Sequence, residues 1–184
     1  MKKTSKRSQA SSRKPSSVVR RGDAKTRVIE MVPAKLKLAT ILVPLDFSKE
    51  SEKALRYAVT FAEQFGARLI LLNVVEPLPF ADLGAIPLIM ESEAVLSACR
   101  TKLNSVVSRH NIPDSLIEKR LVRSGQAYRE IAEAARTLKA DLIIISTHGY
   151  TGFHHALLGS TAERVVRHAP CPVLVVRNHE KEFV

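Results

Sequence analysis

At 184 residues the chain is long enough for one well-packed domain and short for two. Its uninterrupted apolar runs fall far short of the roughly 18 to 20 residues that cross a bilayer, so no transmembrane segment is expected and the expected location is cytoplasmic. The formal net charge of +11 is unevenly placed: residues 1–27 hold ten Lys/Arg against Asp23 alone, giving +9, so residues 28–184 carry only +2 and show no nucleic-acid footprint.

Residues 1–37 are rich in Ser, Lys and Arg, with almost no apolar residue before Val18. Such a segment cannot bury enough surface to offset its ordering entropy, and it is expected to be a disordered basic tail. Three readings of it stand side by side: an arm whose residues 1–27 contact a polyanion, a transit peptide, and a solubilising extension with no specific partner. The segment lacks the apolar face of an amphipathic helix and the h-region of a secretory signal. Cys99 and Cys171 lie far apart without C-x-x-C spacing and read as buried small hydrophobes in a reduced compartment.

From Leu38 the pattern changes. Ala39 to Leu45 is a short apolar run closed by Asp46-Phe47-Ser48. Ser48 is placed to cap a helix whose apolar positions, Ala54, Leu55, Ala58, Ala62 and Phe65, recur at three- and four-residue steps until Gly66 stops it. Leu69 to Val75 is a continuous hydrophobic strand of the kind buried on both faces of a parallel sheet. Glu76 to Leu88, with Pro77, Pro79, Gly84 and Pro87, reads as an irregular loop, and so long a connection often forms a lid or a partner surface.

A second helix is expected from about Ile89 to Arg109, with Val95, Ala98, Cys99, Leu103, Val106 and Val107 on one face. Leu116 to Arg123 is the third strand, where Glu118, Lys119 and Arg120 suit a protected sheet edge. Gly125 turns the chain into a third helix with Ile131, Ala134, Ala135 and Leu138 inward. Asp141 to Ile145 is the fourth strand, Ser160 to Arg167 the fourth helix, and Pro172 to Val176 the fifth strand. Strands alternating with helices long enough for crossovers predict an α/β domain with a parallel sheet, whose ligands sit beyond the carboxyl ends of the strands.

The stretch Ser146 to Thr161 organises this reading. It carries glycines at 149, 152 and 159 between an all-aliphatic strand and a helix, the setting in which backbone N–H groups surround a phosphate. Ser160-Thr161-Ala162-Glu163 also fits a capping box, in which Ser160 satisfies a helix N–H and Glu163 reaches back. Asp46 is likewise open to two roles, holding a ligand hydroxyl or serving the turn before the first helix. His148, His154 and His155 find no second ligand cluster at metal-like spacing, and no metal site is expected.

Several ordered motifs together resemble the universal stress protein family: Val43-Pro44-Leu45-Asp46-Phe47-Ser48, Gly125, Ser146-Thr147-His148-Gly149 with nine residues to Gly159-Ser160, and Ala169-Pro170-Cys171-Pro172-Val173-Leu174-Val175-Val176. The resemblance covers about residues 38–177, leaving 1–37 and 178–184 as tails. It implies an open, twisted five-stranded parallel sheet of order 3-2-1-4-5 with helices on both faces, like that of the adenine nucleotide alpha hydrolases, and usually a homodimer. It also implies ATP binding through G-x2-G-x9-G-[S/T], the acidic residue after the first strand, and a main-chain contact to adenine after the second. Carried over, the site is Pro44, Leu45, Asp46, Val74, Ser146, His148, Gly149, Gly159, Ser160 and Thr161. Ser146 stands where the first glycine belongs; it is strained there if the position needs φ > 0 and harmless if it only ends the strand.

With only +2 on residues 28–184, a triphosphate must be held locally by loop N–H groups and the fourth helix's positive end, with magnesium as an expected companion. The chain has no G-x-x-x-x-G-K-[S/T], no G-x-G-x-x-G after the first strand and no G-x-S-x-G, which argues against P-loop, dinucleotide-binding and hydrolase readings. No residue stands out as a base or an arginine finger, so at most a weak ATPase is expected. The expectation is a stress-response protein that binds ATP. Its rival is an interaction module of the same family that binds no nucleotide and whose basic tail contacts polyanions. The apolar fifth strand, Val173, Leu174, Val175 and Val176, lies at a sheet edge in the implied order and is expected to pair two copies.

Overall fold

The structure, a computed structural model, describes residues 37–77, 93–147, 159–177 and 181. The expectations for the basic tail, the loop after Pro77, the start of the second helix, His148, Gly149 and the C-terminal tail lie outside the described residues. Strand β1 (Thr40–Pro44) leads through Ser48 into helix α1 (Lys49–Phe65). Ser48 caps as its position predicts: its backbone is extended and its Oγ accepts the Ser51 N–H at 3.1 Å, satisfying one amide that the first turn leaves without a partner. Gly66 ends the helix at φ 69°, in the left-handed region where a Cβ would be strained.

Strand β2 (Arg68–Val75) pairs in parallel with β1, Thr40 opposite Arg68 through Pro44 opposite Leu72. Helix α2 (Glu93–Arg109) and a short 3-10 turn at Asp114–Leu116 lead to β3 (Ile117–Ser124), which pairs with the other side of β2. Its Glu118, Lys119 and Arg120 are exposed, as an edge strand requires. Gly125, at φ 144°, donates its N–H to the Val75 carbonyl and starts α3 (Ala127–Thr137). Strand β4 (Leu142–Ser146) follows, then α4 (Ser160–His168) and β5 (Val173–Val176).

The sheet is all parallel in the order β3-β2-β1-β4-β5, as the resemblance implies. Side chains alternate across it. Ile41, Val43, Leu69 and Leu71 face the α1 and α2 layer with Leu55, Leu103 and Val106, while Leu42, Ile70, Leu72 and Ile143 face α3 and α4 with Ile131, Ala134 and Val165. These buried side chains contribute about 1.5–3 kcal/mol each for the larger aliphatics, which is why β1, β2 and β4 read as predominantly hydrophobic runs. The β1–β4 register is fixed from outside the ladder as well: Asp141 Oδ2 accepts the N–H groups of Ala39 and Thr40 at 2.8 and 2.9 Å.

Two details differ from the sequence reading. Both cysteines are free thiols but only half-buried, Cys99 within α2 and Cys171 in the connection between α4 and β5; burial, with Asp141 adding to it, pushes the Cys171 thiol above its ordinary value. The continuous hydrophobic strand β2 carries Asn73, which is buried and donates Nδ2 to the Leu45 carbonyl at 2.7 Å. That bond holds the turn between β1 and α1 against β2. Asn73→Ala should therefore lower the midpoint of urea unfolding without changing its slope, by an amount equivalent to about 1–3 kcal/mol, because a buried carbonyl loses its donor. An unchanged midpoint would show that the turn is held by other contacts.

Candidate functional site

All strand carboxyl ends share one edge of a parallel sheet. At that edge β1 feeds α1 on one face while neighbouring β4 feeds α4 on the other, so the two departing chains separate and leave a crevice. A cleft of about 340 Å³ opens there. Pro44, Leu45 and Asp46 from the end of β1, and Ile145, Ser146 and Thr147 from the end of β4, line its two central sides. Leu72, Val74 and Glu76 contribute from β2, Ala127 and Ile131 from α3, and Gly159 to Ala162 from α4.

The segment between β4 and α4 is closed at its base. Gly159 donates its N–H to the Thr147 carbonyl at 2.7 Å, and Thr147 donates to the Val176 carbonyl at 3.0 Å. Residues 146–147 and 159–161, twelve or more apart in sequence, are thereby brought side by side. Gly159 is the N-cap of α4, with extended backbone and no side-chain cap; its carbonyl accepts the Glu163 N–H at 2.9 Å. The N–H groups of Ser160, Thr161 and Ala162 therefore lead the helix without intrahelical acceptors, and all three residues line the cleft.

The capping box expected at Ser160–Glu163 is not formed. Ser160 is already the first helical residue, and Glu163 reaches forward to Arg167 at 2.8 Å rather than back. The cap position is taken by Gly159, which has no side chain to offer, and Arg167 engages the Glu163 carboxylate.

The end of α3 is arranged in the opposite way. Glu76 Oε1 accepts the Ala127 N–H at 2.6 Å, so α3 meets a carboxylate of the chain itself. Three helix N-termini reach the cleft: α1, at Ser51, is capped by the Ser48 side chain, α3 is met by the Glu76 carboxylate, and α4 carries no side-chain cap.

Asp46 serves the turn before α1, its Oδ1 accepting the Ser48 N–H at 3.0 Å and the Ser48 Oγ–H at 2.5 Å, and it also lines the cleft. Between the two, Phe47 is held at φ 65°, a costly conformation for a bulky side chain that the turn over-determines. Ser146 ends β4 opposite Val176 and is absent from the positions of positive φ, so the place of the expected first glycine makes no left-handed demand on it.

Eight of the ten residues named from the sequence, Pro44, Leu45, Asp46, Val74, Ser146, Gly159, Ser160 and Thr161, line this one cleft. His148 and Gly149 lie outside the described residues. Sequence reasoning missed Ser51, Leu72, Glu76, Ala127, Ile131, Ile145, Thr147 and Ala162; Glu76, Ala127 and Ile131 reach the cleft through the winding of the chain, and the position of Glu76 directly after β2 was the available signal. Among the described lining residues the ionisable groups are Asp46 and Glu76, with no Lys, Arg or His. Among the described residues no group of three His, Cys, Asp or Glu could hold a metal ion, and no helix is long and apolar enough to cross a membrane.

Known proteins resemble this chain in sequence and fold. A universal stress protein of Methanocaldococcus jannaschii is 35% identical over 148 residues, spanning 77% of this chain and 84% of that protein. Universal stress protein UspA from Lactobacillus plantarum superposes with a TM-score of 0.61 at 28% identity, covering 77% of this chain and 99% of its own. A universal stress protein crystallised in complex with cAMP superposes with a TM-score of 0.55 at 25% identity, covering 77% of this chain and 98% of its own. Residues 37–177 match the universal stress protein family as a whole. With that match, the relative at 35% identity and the sheet order β3-β2-β1-β4-β5, the chain belongs to the universal stress protein family.

Proposed function

We propose that this chain is a cytoplasmic stress-response regulator that binds an adenine nucleotide, ATP first among them, in the cleft between β1 and β4. The observation that carries the reading is the convergence of Gly159, Ser160 and Thr161, at a helix N-terminus without a side-chain cap, with Asp46 and Val74 in one cleft of about 340 Å³. That volume lies within the roughly 300 to 1,000 Å³ of small-molecule sites. The leading amides of α4 would take phosphate oxygens, Asp46 a ribose hydroxyl, and the main chain near Val74 the adenine edge. His148 and Gly149 complete the proposed loop. The cAMP complex of a family member supports the choice of an adenine nucleotide.

The donor set fits a nucleotide accompanied by magnesium better than a bare one. The described lining offers two carboxylates and no cationic side chain, so the phosphate charge needs a divalent counter-ion. Magnesium bound with the nucleotide supplies that charge. Among the described lining residues there is no arginine to stabilise a transferred phosphoryl group, which supports a reading of binding with slow or absent hydrolysis.

The same two carboxylates favour one alternative: an interaction module of this family that holds no nucleotide, with residues 1–27 contacting polyanions. Calorimetric titration of ATP, ADP and AMP with magnesium into the full chain separates the two. Saturable binding is expected, and no heat at millimolar nucleotide would leave the alternative standing.

Ser160→Asp gives a sharper result. A carboxylate in the first turn of α4 should raise the melting temperature slightly, since it favours the helix end by about 0.3–1 kcal/mol, while weakening ATP at least tenfold. Unchanged affinity would remove the helix end from the site.

The chain also pairs with a second copy through β5 in this proposal. β5 is an end strand of the described sheet, and Val173, Leu174 and Val175 are half-buried apolar residues there. Sedimentation should give a dimer at tens of micromolar, with Val175→Lys shifting it toward monomer; a monomeric parent chain would refute the pairing.

A further inference from the structure

Outside the cleft, the outer surface of α3 and α4 gathers charge in a way that the average of +2 over residues 28–184 conceals. Arg129 stacks over the Tyr128 ring with its guanidinium carbon 5.7 Å from the centroid and donates Nε to Tyr128 Oη at 2.9 Å. Arg164, from the neighbouring helix, lies over the same ring at 5.3 Å. His168, one turn further along α4, places its ring centroid 5.6 Å from that of Tyr128. Tyr128 is half-buried, while Arg129, Arg164 and His168 are exposed, and none of the four lines the cleft.

Other arginines on these elements meet carboxylates. Arg123 pairs with Glu130, Arg136 with Glu133, and Arg167 with Glu163. Arg129 and Arg164 have no carboxylate partner among the described residues, yet two helices bring them to one aromatic ring. Each is an exposed cation held beside the same ring, so each can take a separate phosphate through charge-assisted hydrogen bonds.

We propose that Tyr128, Arg129, Arg164 and His168 form a binding surface for single-stranded nucleic acid. The two guanidinium groups contact successive backbone phosphates, and the exposed His168 ring with the Arg planes offers a stacking face to a base. Arginine interleaved with aromatic rings on an exposed surface is the chemistry that single strands use, since bases stack on His, Tyr and guanidinium planes while phosphates take charge-assisted hydrogen bonds. An acidic peptide would satisfy the charges but leave the rings unused. The surface stands independently of the nucleotide reading of the cleft.

The test measures binding of the full chain to a fluorescent oligouridine across a salt series. R129Q/R164Q should weaken binding at least tenfold at low salt and lower the slope of log affinity against log salt by about 1.4, near 0.7 for each lost phosphate contact. R136Q, which removes an arginine already paired, should leave the slope unchanged. Ultraviolet crosslinking followed by peptide mapping should place the oligonucleotide on the peptide containing Tyr128.

If the double variant fails to fold, R129Q and R164Q singly should each lower the slope by about 0.7. An unchanged slope in the folded variants, equal competition by polyglutamate, or loss of ATP affinity without loss of oligonucleotide binding would each overturn the proposal.

Discussion

The hydrogen bond from the Gly159 N–H to the Thr147 carbonyl is the constraint on which the cleft depends. It closes the chain on itself where β4 ends and α4 begins, and Thr147 is tied in turn to β5 through Val176. With the base closed, α4 must start beside the carboxyl end of the sheet. Its first three amides then face the crevice between β1 and β4. Gly159 takes the N-cap position, which is also why Ser160 and Glu163 do not form the reciprocal cap that their spacing allows.

The rest of the fold serves to hold that edge in place. β1, β2 and β4 are buried on both faces, so their side chains alternate between two packed layers and leave no freedom of register: a shift by one residue would exchange every side chain between the layers. Asp141 and Asn73 add polar fixings at opposite ends of β1, one on the N–H groups before the strand and one on the carbonyl after it. The turn at Asp46 is thereby held firmly enough to keep Phe47 in a left-handed conformation. Rigid backbone at the edge of the cleft is what a binding site needs if its donors are main-chain groups, because such groups cannot adjust by changing rotamer.

Electrostatics divides the α3 and α4 layer into two regions. Towards the cleft, Glu76 meets the end of α3 and Glu163 is engaged by Arg167, so α4 alone presents a helix end without a side-chain cap. On the outer surface, ion pairing consumes several arginines and leaves Arg129 and Arg164 around Tyr128. Net charge cannot reveal either arrangement, since both follow from which charges are already partnered.

Much of the fold was legible in the chain because the signals were local and mutually consistent. Ser48 and Gly66 bracket α1, the aliphatic runs mark β1, β2 and β4, and the charges on β3 mark an edge; each follows from propensity, capping or periodicity within a few residues. The motifs around Asp46 and Ser146 to Thr161, with the position of Val74 at the end of β2, likewise named eight residues that line one cleft. What only the tertiary structure decided was how distant segments meet. The Gly159–Thr147 bond closed the base of the segment between β4 and α4, Glu76 reached α3 across 51 positions, and Tyr128 drew Arg129 and Arg164 together from different helices. The sequence by itself determined the elements and their order, since those depend on neighbours along the chain; partners across the crevice depend on the crossover winding, which no local pattern encodes.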